Sequence, residues 1–263
     1  MPDKHYLWPE VPGALGTTEE DKPHLLPFLV PSDKKRGLVI VAPGGGYTIR
    51  APHEADPVAE MVNAHGINAA VLHYRVKPYM HPCQMQDAQR AIRYVRHQAT
   101  EWGIDPQHIA ILGFSAGGHL AATVSNHYDA GNPTADDPIE RQSCRPDASV
   151  LCYAVVSFQD FTHPGSCINL LGENASMAAR AELSNELRVT SDTPPAFMWH
   201  TAEDTGVPPE NVLRYATALA AHGVPYELHI YQDGRHGIGL GLEDPATATW
   251  GDLLGIWLKR HGF

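Results

Sequence analysis

The residues best placed to do chemistry stand in one short stretch, Gly113-Phe114-Ser115-Ala116-Gly117-Gly118-His119. Four apolar residues, Ile109 to Leu112, run into Gly113, and an alanine-rich, helix-favouring run follows. The pattern predicts a buried strand, a sharp turn and a helix. A serine at such a turn holds its hydroxyl out on a tight bend, and Gly113 and Gly117 leave room for close backbone approach. A helix that starts beneath the serine aims free N–H groups, and the positive end of its dipole, at any anion formed there. That chemistry is nucleophilic attack by the Ser115 hydroxyl, and the G-x-S-x-G spacing fits a nucleophile elbow. The spacing alone is a weak signal. The strand before it and the helix after it strengthen it.

A serine hydroxyl needs an adjacent base, and histidine has the right pKa. The histidine in turn needs an acid to fix its tautomer and stabilise the imidazolium. At such elbows the chain order is serine, acid, histidine. Downstream, Trp199-His200-Thr201-Ala202-Glu203-Asp204 places two acids, Glu203 and Asp204, just past an apolar run. Further on, Gln232-Asp233-Gly234-Arg235-His236-Gly237 follows another strand candidate and puts His236 in a loop able to bend back over a sheet. His229 falls inside that strand and is expected to be structural. His200 precedes the acids and breaks the order. His119 lies on the helix behind Ser115, where it supports the site from behind.

Acyl transfer also requires N–H donors for an oxyanion. The Ala116 N–H, next to the nucleophile, is one candidate. The loop Gly44-Gly45-Gly46 is the other, with Gly45 and Gly46 as donors and Tyr47 expected to narrow the acyl side as a substrate-binding residue.

These segments together resemble the α/β-hydrolase superfamily, and within it esterases of the hormone-sensitive-lipase-like and acetylxylan-esterase-like groups. Pro43-Gly44-Gly45-Gly46-Tyr47 is similar to their H-G-G-G loop, with proline in place of the histidine, which leans towards small bacterial esterases that remove acetyl groups from sugars. Gly113 to Ala121 resembles their elbow. Asp204-x-x-Val207-Pro208 resembles the acid loop of the superfamily, which implies Asp204 rather than Glu203 as the acid. Tyr74-Arg75, His81-Pro82 and Asp87-Ala88 also look familiar, and Arg75 and Asp87 are expected to be structural. The resemblance spans residues 36–263. It implies an α/β-hydrolase fold, a mostly parallel eight-stranded sheet with helices on both faces and a small insertion over the site. It also implies a Ser115–His236–Asp204 serine carboxylesterase acting on short acyl esters, acetyl esters of carbohydrates above all. The runner-up readings are a short-peptide serine peptidase of the prolyl-oligopeptidase-like type and a non-catalytic ligand receptor on the same fold.

The elements that must position these residues alternate along the chain. Strand candidates are 25–30 (with an internal proline suited to an edge), 37–42, 67–74, the run before Ser115, 150–156, 196–200 and 226–231. Helix candidates are Glu54–His65 closed by Gly66, a segment carrying Met85, Ala88, Ile92, Val95 and Ala99, residues 209–222 closed by Gly223, and a terminal helix from Trp250 to Leu258. Alternation predicts a mostly parallel sheet with ligands at the carboxyl ends of its strands. Residues 157–193 interrupt the alternation and are expected to form the insertion. One domain, 1–263, is the simplest account.

Composition narrows the function further. A formal net charge of −11 over 263 residues argues against binding a phosphate backbone, so no nucleic-acid partner is expected. No apolar run approaches membrane-spanning length, so no membrane partner is expected. The opening residues, Met1-Pro2-Asp3-Lys4-His5-Tyr6, show no signal-peptide core, which predicts the cytoplasm and four free thiols, mostly buried. The 16 histidines include no H-E-x-x-H and no zinc-type Cys/His spacing, so neither metal nor cofactor is expected. The expected partner is a small ester, and the sequence is compatible with a homo-oligomer.

Overall fold

The computed structural model describes residues 3–263. Eight strands make one sheet: β1 (His5–Tyr6), β2 (His24–Phe28), β3 (Arg36–Ala42), β4 (Asn68–His73), β5 (Ile104–Phe114), β6 (Ala148–Cys152), β7 (Ala196–Thr201) and β8 (Tyr226–Tyr231). Their order is β1-β2-β4-β3-β5-β6-β7-β8. The six strands from β4 to β8 in that order are parallel, and β1 and β2 add an antiparallel edge.

Continuous apolar strands follow from cover on both faces. Alternate residues divide between two cores. Leu38, Ile40, Leu72, Ile111, Leu151 and Met198 face one side, where α2 (Cys83–Gln98), α3 (Ser115–Asn126) and α6 (Glu210–Ala221) pack. Val39, Val41, Val71, Leu112, Val150 and Trp199 face the other, under α1 (Asp56–Ala64) and α7 (Trp250–Arg260). A one-residue slip of any central strand would exchange its two sets of side chains between these cores.

Two boundaries and one edge assignment differ from the sequence expectation, each for a local reason. The helix expected to start at Glu54 opens instead as a 3₁₀ turn, Pro52–Glu54, and breaks at Ala55 (φ −104°, ψ −107°) before α1. The strand expected to reach Val156 stops at Cys152, because Tyr153 turns into the left-handed region (φ 34°) and leads the chain over the sheet edge. Pro27 lies inside β2, which is not the outermost strand. However, β1 pairs only with His24 and Leu25, so the stretch around Pro27 still borders an open side.

Residues 157–193 lie between β6 and β7 and carry α4 (Pro164–Leu171) and α5 (Met177–Glu182). They are tied to α3: Asn185 Nδ2 donates to the His119 carbonyl (3.4 Å) and to Thr123 Oγ1 (3.2 Å). Arg75 and Asp87 form a fully buried pair at 2.6 Å, with a second Asp87 oxygen accepting the Arg75 N–H at 2.8 Å, and so hold the chain after β4 onto α2. All four cysteines are free, and Cys83 alone among them is only half-buried.

Candidate active site

β5 delivers Ser115 to the carboxyl edge of the sheet, and the turn there is as tight as the glycines suggest. Ser115 itself sits at φ 50°, in the left-handed region, a strained place for a residue with a side chain. A Cβ on Gly113 would lie 2.0 Å from the Gly117 carbonyl oxygen, and one on Gly117 would lie 2.1 Å from the Ala42 oxygen. Glycine is the residue type these two approaches admit. α3 starts at once, so the Ala116 N–H is an unpaired first-turn donor beside the Ser115 hydroxyl.

The structure brings Ser115, His236 and Asp204 into one hydrogen-bonded chain. His236 Nε2 lies 2.8 Å from Ser115 Oγ, and His236 Nδ1 lies 2.7 Å from Asp204 Oδ2. An ionised carboxylate can only accept, so Nδ1 carries the proton and Nε2 is free to accept from the serine. Asp204 is buried and Glu203, its neighbour in the sequence, is exposed. The second Asp204 oxygen accepts the N–H groups of Gly206 (2.8 Å) and Val207 (2.9 Å). Burial works to raise the Asp204 carboxyl. Hydrogen bonds from His200 and His236 and from the Val207 N–H outweigh it and hold the group far below the ordinary carboxylate range.

The glycine loop divides in two. The Gly44 N–H is taken: it donates to Glu54 Oε2 at 2.7 Å. The Gly45 and Gly46 N–H groups have no acceptor among the described residues. Asn169 of α4 holds this loop from above, donating to the Gly46 carbonyl (2.8 Å) and to Thr48 Oγ1 (2.9 Å). Tyr47 requires a correction. It does not line the acyl side. Its side chain is fully buried, and its hydroxyl lies 2.8 Å from His119 Nδ1. The backbone at Tyr47 is left-handed (φ 61°), which turns the ring inward, away from the open edge.

His119 is therefore the link behind the loop. Its Nε2 lies 2.8 Å from the Leu183 carbonyl and must donate, so Nδ1 accepts from Tyr47. One neutral ring ties the glycine loop, α3 and the 157–193 segment together. Burial pushes His119 down to about 3, and burial likewise pushes His73 down to about 4. The sign follows from linkage. Below the unfolded value near 6.5 the unfolded chain binds protons that the folded chain refuses, so stability is lost as pH falls from there towards 3. The slope approaches about 1.4 kcal/mol per pH unit for each such histidine. Thermal unfolding should show Tm falling through this window, and His119→Gln should flatten the fall; equal slopes would refute the assignment.

Three residues escaped the sequence reading. His163 N-caps α4 through Nδ1, which accepts the Ser166 N–H at 3.1 Å, and its pKa is lowered by burial and by the charge of His236. Glu54 and Tyr153 join the glycine loop to the His236 loop. Glu54 is an acid in a turn and Tyr153 prolongs an apolar run, so neither carries a local signal. Cavities of about 420 and 520 Å³ border the site: one is lined by His53, Arg235, Ile238 and Leu240, the other by Thr48, Arg50, Lys77 and Tyr79. Neither has Ser115 or His236 in its wall. Among the described residues no helix is long and apolar enough to cross a membrane.

A parallel-rich sheet with a serine elbow after β5, an acid after β7 and a histidine after β8 defines an α/β-hydrolase. The BD-FAE family model matches residues 28–219, and the chain belongs to that family. It is 35% identical over 229 residues to the Endo-1,4-beta-xylanase B of Butyrivibrio fibrisolvens, covering 84% of this chain and 35% of that protein. It is 32% identical over 252 residues to the acetylxylan esterase of Xylanibacter ruminicola, covering 94% of this chain and 50% of that one. The chain thus spans between a third and a half of the length of these two relatives. Among solved structures, the acetyl ester-xyloside bifunctional hydrolase of Caldicellulosiruptor lactoaceticus superposes with a TM-score of 0.95 at 48% identity, covering 99% of this chain and 97% of that one.

Proposed function

We propose that this chain is a serine carboxylesterase that removes short acyl groups, acetyl above all, from carbohydrate hydroxyls. The observation that carries the reading is the Ser115–His236–Asp204 chain with contacts of 2.8 and 2.7 Å at a strained elbow. Ser115 Oγ attacks the ester carbonyl as His236 Nε2 takes its proton. The N–H groups of Ala116, Gly45 and Gly46 receive the oxyanion, and loss of one such donor costs about 3 kcal/mol of transition-state stabilisation. His236 then gives its proton to the leaving alcohol. Water, activated by the same histidine, attacks the acyl-enzyme and releases the acid and Ser115.

The carbohydrate part of the reading leans on two relatives named for acetylated xylan or xylosides. The short-acyl part leans on Asn169, which donates to the Gly46 carbonyl and to Thr48 Oγ1 and so sets α4 beside the glycine loop. Each methylene buried in an apolar pocket adds about 0.8 kcal/mol, so a long acyl site would show kcat/KM rising with chain length. The opposite is expected: acetate and propionate esters best, decanoate poor, and acetate released from acetylated xylo-oligosaccharides. An aryl-ester series from acetate to decanoate checks this. Octanoate above acetate, or inert acetylated sugars beside good peptide turnover, would reject the deacetylase reading in favour of a lipase or a peptidase.

A further inference from the structure

The loop that carries His236 is poorly held by its own sequence. Gly234, Gly237, Gly239 and Gly241 all sit at positive φ, between 57° and 134°. On one flank Arg235, Ile238 and Leu240 border the 420 Å³ cavity, and Ile238 and Leu240 are only partly packed against the core beneath α1 and α7. A base loop of this kind must be fixed by something outside itself, because a misplacement of about 1 Å at a reacting group can cost about 100-fold in rate.

The turn Pro52–Glu54 supplies two ties. His53 Nε2 donates to the Gly237 carbonyl at 3.0 Å. Glu54, only 2% exposed, acts through Tyr153: Glu54 Oε1 accepts the Tyr153 hydroxyl at 2.5 Å, and that hydroxyl accepts the Gly239 N–H at 2.9 Å. The Tyr153 ring also stands against the His236 ring, with centroids 5.1 Å apart and planes at 72°. The other Glu54 oxygen holds the Gly44 N–H. Gly44 is wedged between this carboxylate and the nucleophile. A Cβ there would meet Glu54 Oε2 at 2.7 Å and Ser115 Cβ at 3.1 Å.

We propose that Glu54 and Tyr153 are positioning residues that lock the oxyanion loop and the His236 loop into one rigid frame around Ser115. One carboxylate sets two loops that the chain separates by nearly two hundred residues. By occupying the Gly44 N–H it also leaves Gly45 and Gly46 as the donors of that loop. The inference presupposes the esterase reading for its kinetic consequence, while its structural content stands apart from it.

Glutamine offers one acceptor where two donors, Gly44 N–H and Tyr153 O–H, converge, so Glu54→Gln must release one of them. With active sites counted by a serine-directed phosphonate, Glu54→Gln and Tyr153→Phe should each lower kcat on an aryl acetate on the order of 10- to 100-fold. KM should stay within about twofold, since the ground-state contacts are untouched. The double variant should be hardly worse than the worse single one, because both cut the same connection. The His236 Nδ1 proton, observed by NMR in the same variants, should shift or broaden. Unchanged kcat per titrated site, additive losses or an unmoved proton resonance would overturn the proposal. A wild-type protein inert to every ester, with the resonance responding as described, would reject the esterase reading and leave the frame standing.

Discussion

Ser115→Ala is expected to lower kcat by about four to six orders of magnitude while the protein folds normally. The size follows from what remains. The N–H groups proposed to receive the oxyanion, those of Ala116, Gly45 and Gly46, belong to the backbone and stay in place, so a residual acceleration of about 10³–10⁴ over water is expected to survive. What is lost is the covalent route: no oxygen stands 2.8 Å from His236 Nε2 to be activated. Stability should change little, because alanine keeps the φ of 50° and the His236 Nε2 that loses its donor is part-exposed and can take water instead. Steady-state kinetics on an aryl acetate, beside thermal unfolding of the same sample, checks both halves. A folded Ser115→Ala protein with near-normal turnover would mean that the reaction runs through another group.

Much of this site could be read locally. Gly113, Ser115 and Gly117 announce a tight strand-to-helix turn because only small residues survive backbone approaches near 2 Å. Asp204 and His236 stand in polar loops after apolar strands, where side chains are free to converge. The parallel sheet was legible for a related reason: Val39 and Ile40, or Val150 and Leu151, are apolar in succession because each face has its own core. The rest depends on distant partners. Tyr47 follows the glycine loop directly, and its sequence neighbours suggest exposure. What receives its hydroxyl inside is His119, 72 residues away. Glu54 looks like a solvated acid in a helix start, yet its partner Tyr153 lies 99 residues on. The same fold explains the shortened β6: Tyr153 has the composition of a strand residue, but its hydroxyl is claimed by a carboxylate from another loop. Sequence pattern reports which face is apolar and where the chain turns. It does not report which buried polar atoms find each other.

Asp204→Asn is expected to cost on the order of 10⁴ in kcat, and Glu203→Gln to change little. The geometry makes the first loss a matter of tautomer rather than of charge alone. One Asp204 oxygen accepts two backbone N–H groups, from Gly206 at 2.8 Å and Val207 at 2.9 Å. In the asparagine variant the carbonyl oxygen must stay there, because an amide NH₂ facing two N–H donors leaves both unsatisfied in a buried place. The NH₂ is then turned to the position now occupied by Oδ2, 2.7 Å from His236 Nδ1. It can only donate, so Nδ1 becomes the acceptor and the imidazole proton moves to Nε2. That proton now faces Ser115 Oγ, and the ring cannot take up the serine's own proton. His200 opposes this orientation only weakly: its Nε2 lies 3.4 Å from the same Oδ2, and its proton is given to the Val207 carbonyl at 2.8 Å. Glu203 is exposed, so its amide variant changes only a solvated neighbour. Kinetics of the two variants decides the matter. A silent Asp204→Asn beside a crippled Glu203→Gln would move the acid to Glu203 and require the loop after β7 to rearrange when ester binds.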